Sequence, residues 1–299
     1  LRSNAVDVNN FGHDQQSRGT MGRARQTPSV PPVTNMAVST TTRPNLRIVA
    51  LVGLAAGALG GLFGVGGGLI IVPGLVLVAQ LERRLAHGTS LAATLPIALA
   101  SLSTYVVNGN VDWAIAPLMA IGTVTGAIVG TKLLTILPKR TITILFIVTV
   151  LATAVRLFLA TETTGRDNLT AWSAVLLVLI GLATGTLSGL LGIGGGIVMV
   201  PAMVVLFGMV PLIAKGTSVA VIVPTSIVGT LRNRANANVD LKVAAVAGGC
   251  GVLSAIAGGI IADDISTGVS NMMFGVLLIF VAGTQFLTLR SDRDEAAVD

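Results

Sequence analysis

Long apolar runs separated by short polar turns follow one another along this chain from residue 48 to residue 289. Eight can be marked off, at 48–80, 89–107, 113–136, 141–160, 171–207, 217–231, 243–262 and 269–289. Most reach the ~17–25 residues a spanning helix needs. The pattern predicts an all-α polytopic membrane protein. The first and fifth runs do not fit a simple crossing. As one helix, 48–80 would be roughly 50 Å long against a hydrocarbon core of ~30 Å. Each over-long run contains three consecutive glycines, Gly66-Gly67-Gly68 and Gly194-Gly195-Gly196, where poor helix propensity predicts a break.

The two over-long runs are copies. Shifted by 128 residues without a gap, GLAAGALGGLFGVGGGLIIVP at 53–73 falls on GLATGTLSGLLGIGGGIVMVP at 181–201, with identity at 13 of 21 positions. The same offset carries GTSLAATLP at 88–96 onto GTSVAVIVP at 216–224, and NGNVD at 108–112 onto NANVD at 236–240. The chain therefore divides into membrane repeat 1 at 47–160, a polar linker TETTGRDNLT at 161–170 and membrane repeat 2 at 171–289. Outside the repeats lie a polar amino-terminal tail at 1–46, with Arg18, Arg23, Arg25, Arg43 and a Pro28 to Pro32 stretch, and a carboxyl-terminal tail at 290–299. The first tail reads as disordered and basic. Leu1 in place of Met is consistent with an alternative start or a fragment; a start at Met36 would leave a short basic leader, and no cleavable signal pattern is expected there.

Charge then discriminates between topologies. With the amino terminus inside, single crossings by all eight runs leave Arg83, Arg84, Lys132, Lys139, Arg140 and Lys215 outside. If the glycine-bearing runs fold back as re-entrant hairpins, only Arg156, Arg166 and Lys215 of the 19 basic residues lie outside. The positive-inside bias favours hairpins, six full spans and cytoplasmic termini. Three crossings per repeat invert the second copy relative to the first, an arrangement in which broken helices line a site near the midplane.

Candidate chemistry follows from the breaks. A half-helix beginning at Gly66, Gly67 and Gly68, or at Gly194, Gly195 and Gly196, offers free N–H groups and the positive end of its dipole to an anion without any basic side chain. The competing reading is that these glycines only allow close helix packing. Pro73 and Pro201 follow where a missing N–H is expected to do little harm early in a half-helix. Thr89, Ser90, Thr217 and Ser218 open the next runs and supply either hydroxyls for an oxyanion or N-caps. His87 and Lys215 are repeat equivalents with an expected gating or attracting role at opposite mouths, weighed against ordinary interfacial charge. Asn108, Asn110 and Asp112, with Asn236, Asn238 and Asp240, read as polar turns.

Composition narrows the classes further. With 53% hydrophobic and 11% charged residues and a mean hydropathy of +0.85, water is not the main solvent. The net charge of +6 comes without a basic-aromatic patch, so no nucleic-acid partner is expected. Cys250 is the single cysteine and reads as a packing residue. No metal-ligand cluster and no phosphate-binding loop is present in the pattern, so neither a metal nor another cofactor is expected. None of the 13 acidic residues lies inside an apolar run, which speaks against proton coupling through a buried carboxylate. The expected partners are a small anionic substrate and the lipid bilayer; an oligomer is compatible with the sequence but encoded by no motif in it.

GLFGVGGGLIIVP and GLLGIGGGIVMVP, each followed by a GTS, resemble the TauE/SafE family of sulfite and organosulfonate exporters over about residues 47–289. The resemblance implies a bacterial or archaeal inner-membrane permease for sulfite, a sulfonate or a related sulfur-containing or organic anion, with about eight spans, working as a secondary transporter and not as an enzyme. Two other classes stand beside it: a channel or scaffold, and an intramembrane enzyme using Ser188. The enzyme reading lacks a partner base, since the histidines are His13 and His87 and Gly60 stands at the repeat equivalent of Ser188.

Overall fold

The computed structural model describes residues 44–159 and 170–295. The amino-terminal tail up to residue 43, the linker up to residue 169 and residues 296–299 lie outside the described residues. Within them every regular element is helical: α1 (Leu46–Phe63), α2 (Gly68–Pro73) with a π-helical turn (Gly74–Val78), α3 (Arg83–Val107), α4 (Ala116–Ile136), α5 (Lys139–Leu159), α6 (Ala171–Leu191), α7 (Gly196–Phe207), α8 (Pro211–Ala235), α9 (Leu241–Asp264) and α10 (Thr267–Glu295). The described residues cluster as one compact unit, so the two stretches of similar sequence are not two separate bodies.

Among the described residues six helices, α1, α3, α4, α6, α8 and α9, are long and apolar enough to cross a membrane. This is not the set expected from the hydrophobic runs. α5 and α10 were to span at 141–160 and 269–289, but their apolar stretches are the shorter Thr143–Ala152 and Gly268–Thr284. α10 also continues as helix through Glu295, into residues expected to be tail. α3 and α8 begin at Arg83 and Pro211, before the apolar runs at 89 and 217, because residues such as His87, Gly88 and Lys215 are buried by tertiary packing despite their polarity or small size.

The surface inverts the pattern of a water-soluble protein. Trp172, Leu253 and Phe280 are 74%, 76% and 67% exposed, whereas Thr89, Ser90, Thr217 and Ser218 have no accessible surface at all. Lipid solvates the first set without penalty, and the second set must find hydrogen bonds inside.

The two repeats interlock through glycine stripes. Gly122, Gly126 and Gly130 of α4 lie on α6, where a Cβ on any of them would overlap the backbone of Val178, Leu182 or Thr186. Gly181, Gly185 and Gly189 of α6 answer from the other side. The same device joins α1 to α9: a Cβ at Gly53, Gly57 or Gly61 would strike the backbone at Ala247, Gly251 or Ala255. Spacing of four keeps each stripe on one helix face, and in lipid, where apolar burial gives no drive, such close backbone approach supplies the association energy.

α3 and α8 cross antiparallel at the centre. Gly88 of α3 sits on the Asn233 Cβ of α8, Gly229 of α8 on Leu91 of α3, and Gly216 of α8 on the Tyr105 Cβ of α3. That register brings Thr94 level with Ser226 and Ala98 level with Ile222. Pro96 and Pro224, both inside these helices, mark the middle of the crossing.

Candidate functional site

Both over-long runs break at their glycines. α1 ends on Gly64 and α6 on Gly192, each in the left-handed conformation (φ 69° and 68°). α2 and α7 then start from Gly67 and Gly195 at φ 84° and 83°, a backbone setting that a side chain would strain. After the first break the chain doubles back along α1, since Gly67 packs on Ala56 and Gly74 on Val52. In the second, Gly195 packs on Ser188 and Thr184. The first hydrogen bonds of the returning helices run from Ile70 and Ile71 to the Gly67 carbonyl and from Val198 and Met199 to the Gly195 carbonyl. The N–H groups just before them therefore open their half-helices without an intrahelical acceptor.

The two breaks meet. A Cβ on Gly68 would enter the Ile193 backbone, and one on Gly196 would reach Val65 Cα; Gly66 and Gly194 both face Thr94 Cγ2 and Ile222 Cγ2. All of Gly66, Gly67, Gly68, Gly194, Gly195 and Gly196 are buried. The structure thus brings the six glycines together, with Thr94 and Ile222 of the crossing helices against them. Pro73 and Pro201 are the sixth residues of α2 and α7, past the turn of free N–H groups where they were expected. Pro73 cannot donate to the preceding turn, and the helix widens into the π-helical turn directly after it.

Thr89, Ser90, Thr217 and Ser218 lie well inside α3 and α8, so none is an N-cap. Their hydroxyls hold the breaks in place. Ser90 donates to the carbonyls of His87 and Gly192, and Ser218 to those of Lys215 and Gly64. Thr89 Oγ1 accepts from the Asp240 N–H and Thr217 Oγ1 from the Asp112 N–H, each at 2.9 Å. Asp240 is the N-cap of α9, and Asp112 accepts the N–H groups of Ala114 and Ile115 just before α4. On the same turn as Asp112, Asn108 and Asn110 donate to the Asp263 carboxylate.

His87 and Lys215 are only 6% and 5% exposed, so both are interior groups. His87 Nδ1 bonds the Leu191 carbonyl, which can only accept, so the ring proton sits on Nδ1. Lys215 Nζ donates to Ser270 Oγ at 2.6 Å. The equivalent positions are therefore tied to different elements, His87 to the end of α6 and Lys215 to the start of α10.

Sequence reading missed Thr94, Ser226 and Tyr105. Tyr105 donates its hydroxyl to the Gly61 carbonyl at 2.7 Å, while Thr94 Oγ1 and Ser226 Oγ are buried with no partner. The signal available was the mismatch between copies, since Ile222, Ala98 and Asn233 stand at the equivalents of Thr94, Ser226 and Tyr105. A groove of about 500 Å³ beside the end of α1, lined by Leu59, Phe63, Met272, Met273 and Phe280, is apolar and suits an acyl chain better than an anion.

Known proteins resemble this chain over most of its length. The family model described as Sulfite exporter TauE/SafE matches residues 20–157 and 177–298. The chain is 27% identical over 217 residues to the probable membrane transporter protein YunE of Bacillus subtilis, covering 64% of this chain and 80% of that one. It is 28% identical over 244 residues to a probable membrane transporter protein of Xylella fastidiosa, covering 78% and 90%. A shorter match to YdhB of Bacillus subtilis is 34% identical over 107 residues, covering 36% and 42%.

Proposed function

The chain belongs to the TauE/SafE sulfite exporter family and is a membrane transporter of that family; from this premise we propose that it is a secondary exporter of a small anion such as sulfite or a sulfonate, with the paired glycine breaks as its binding site. The observation that carries the reading is the meeting of two half-helix beginnings against Thr94 and Ile222. The amides that open the two half-helices and their converging dipole ends favour negative charge there without a buried cation. Six-residue α2 continues through its five-residue π-helical turn, and α7 has 12 residues, so the two half-helices are of similar length. Ser90 and Ser218 fix the breaks, and His87 and Lys215 anchor the segments that move when the site changes its exposure.

In this reading the two copies are inverted repeats with the glycine-bearing runs as re-entrant hairpins, in a bacterial or archaeal inner membrane with both termini cytoplasmic. Support comes from the antiparallel crossing of α3 and α8 and from the doubling back of α2 along α1. An anion leaving a negative interior gains ~2.3 kcal/mol per charge per 100 mV, so export needs no coupling ion.

The test is transport in reconstituted vesicles of sulfite, sulfoacetate, thiosulfate and small carboxylates, with and without an imposed potential. Saturable, competitive flux that responds to the potential is expected. Flux that never saturates makes the protein a channel, and no flux of any tested anion removes the reading. Lys215→Gln slows transport if this side chain gates it; an unchanged rate removes that role. For the orientation, cysteines at Leu85 and Val210 in a Cys250→Ser background should label from opposite faces, and same-face labelling ends the inverted arrangement.

A further inference from the structure

The hydrogen-bonding account of the interior is lopsided. Among the described residues six side chains carry a buried nitrogen or oxygen with no partner, namely Arg84, Thr94, Ser188, Ser226, Thr230 and Asn233. All six lie toward one end of the bundle, where α3 begins and α8 ends. Arg84 is in the first turn of α3. Thr94 and Ser226 lie level with one another in the register of the α3–α8 crossing, just on that side of Pro96 and Pro224. Thr230 and Asn233 continue along α8 at helical spacings of four and three, which keeps them close to one face. Ser188 is in the last turn of α6, whose end is held by His87 and Ser90 of early α3.

The equivalent places at the opposite end carry no such atom. At the equivalents of Ser226, Thr230, Asn233 and Ser188 stand Ala98, Leu102, Tyr105 and Gly60. The one polar group among them is satisfied, because Tyr105 reaches across to the Gly61 carbonyl. Asn233, with its Cβ against Gly88 as that of Tyr105 is against Gly216, is too short to make the equivalent bond. Thr94, Ser188, Ser226 and Asn233 are at most 1% exposed. Buried hydroxyls without partners are uncommon because each leaves about 1–3 kcal/mol of desolvation uncompensated. Three such hydroxyls, with the Asn233 carboxamide oxygen whose Nδ2 already donates to the Gly229 carbonyl, lie on one side of a glycine-lined centre that has apolar or satisfied groups on the other, and the hydroxyls are what an oxyanion would complete.

We infer that Thr94, Ser188 and Ser226 supply hydroxyl donors to the transported oxyanion beside the glycine breaks, and that Thr230 and Asn233 line its route to the end of the bundle where α3 begins, while Ala98, Leu102 and Tyr105 form the closed gate on the other side. The inference rests on the transport reading above and gives that site its side-chain ligands and its open half. Arg232, Arg234 and Lys242 stand at this same end, which the basic-residue bias assigns to the cytoplasm. For an exporter it is the loading side.

Two measurements on the full chain decide it. In a Cys250→Ser background, Ser226→Cys and Thr230→Cys should react with a small anionic thiosulfonate reagent, while the mirror variants Ala98→Cys and Leu102→Cys stay unlabelled over the same time. In reconstituted vesicles, Thr94→Val and Ser226→Ala should each lower kcat/KM for sulfite or sulfoacetate about tenfold, the loss of one hydrogen bond to a charged group, with an unchanged or raised thermal midpoint because an unpartnered hydroxyl has been removed. Thr94→Ser should restore the rate. Equal labelling of the two cysteine pairs, or wild-type rates in both hydroxyl-deleted variants, overturns the inference. If wild-type vesicles move neither anion, the transport reading fails by itself; unequal labelling then still supports a one-sided polar route, and equal labelling overturns it.

Discussion

Tyr105 and Asn233 hold equivalent places in two copies of one scaffold, yet one reaches across to a carbonyl of another helix and the other bonds only its own helix and leaves its carboxamide oxygen without a partner. Ser90 and Ser218, by contrast, do the same job in both copies, each donating to the carbonyl that ends the first helix of the opposite repeat. What the copies share holds the breaks in shape. What they do not share gives the molecule two unlike ends.

The largest effect expected from breaking this comparison falls on the shared scaffold. Gly57→Leu and Gly185→Leu drive a side chain into the backbone of Gly251 or Thr123, and since backbone cannot yield as a side chain can, both should abolish folded protein. Size-exclusion profiles after detergent extraction would check this, with Gly249→Leu, which meets nothing within 4 Å, eluting normally. Next come the serine clasps. Ser90→Ala and Ser218→Ala each strand a buried carbonyl and should lose about 1–3 kcal/mol apiece, read as similar falls in thermal midpoint; a fall in only one would mean that the copies are not equivalent here. Tyr105→Phe removes a single hydrogen bond and should lose about 1 kcal/mol. The smallest effect belongs to the unlike end, where Thr230→Val takes away an unpartnered hydroxyl and should leave the midpoint in place. A drop as large as that of Tyr105→Phe would mean that the Thr230 hydroxyl already has a partner in the folded protein.

Much of this was legible in the residues. The glycine triplets break their helices where low propensity and excess length said they would, and Asp112 and Asp240 cap or turn where turn chemistry put them. The beginnings of α3 and α8 were not legible, because His87 and Lys215 look like loop residues until the packing that buries them is known. The partners of Ser90 and Ser218 were hidden for a related reason. Hydroxyl spacing along a helix says which face a residue occupies but not which distant carbonyl that face will meet. Thr94 and Ser226 were the hardest, since a lone hydroxyl in an apolar run is tolerated almost anywhere by bonding its own helix, and only the finished structure shows that these two do not.

The glycine stripes have a consequence for biosynthesis. α1 finds its mate in α9 and α4 finds its mate in α6, so when the first half leaves the ribosome its two tightest surfaces have nothing to close upon. That half must wait in the bilayer, stripes turned to lipid, until the second is inserted. A gene split at the linker should therefore yield a working protein only when both pieces are made in the same cell, and either piece alone should be degraded.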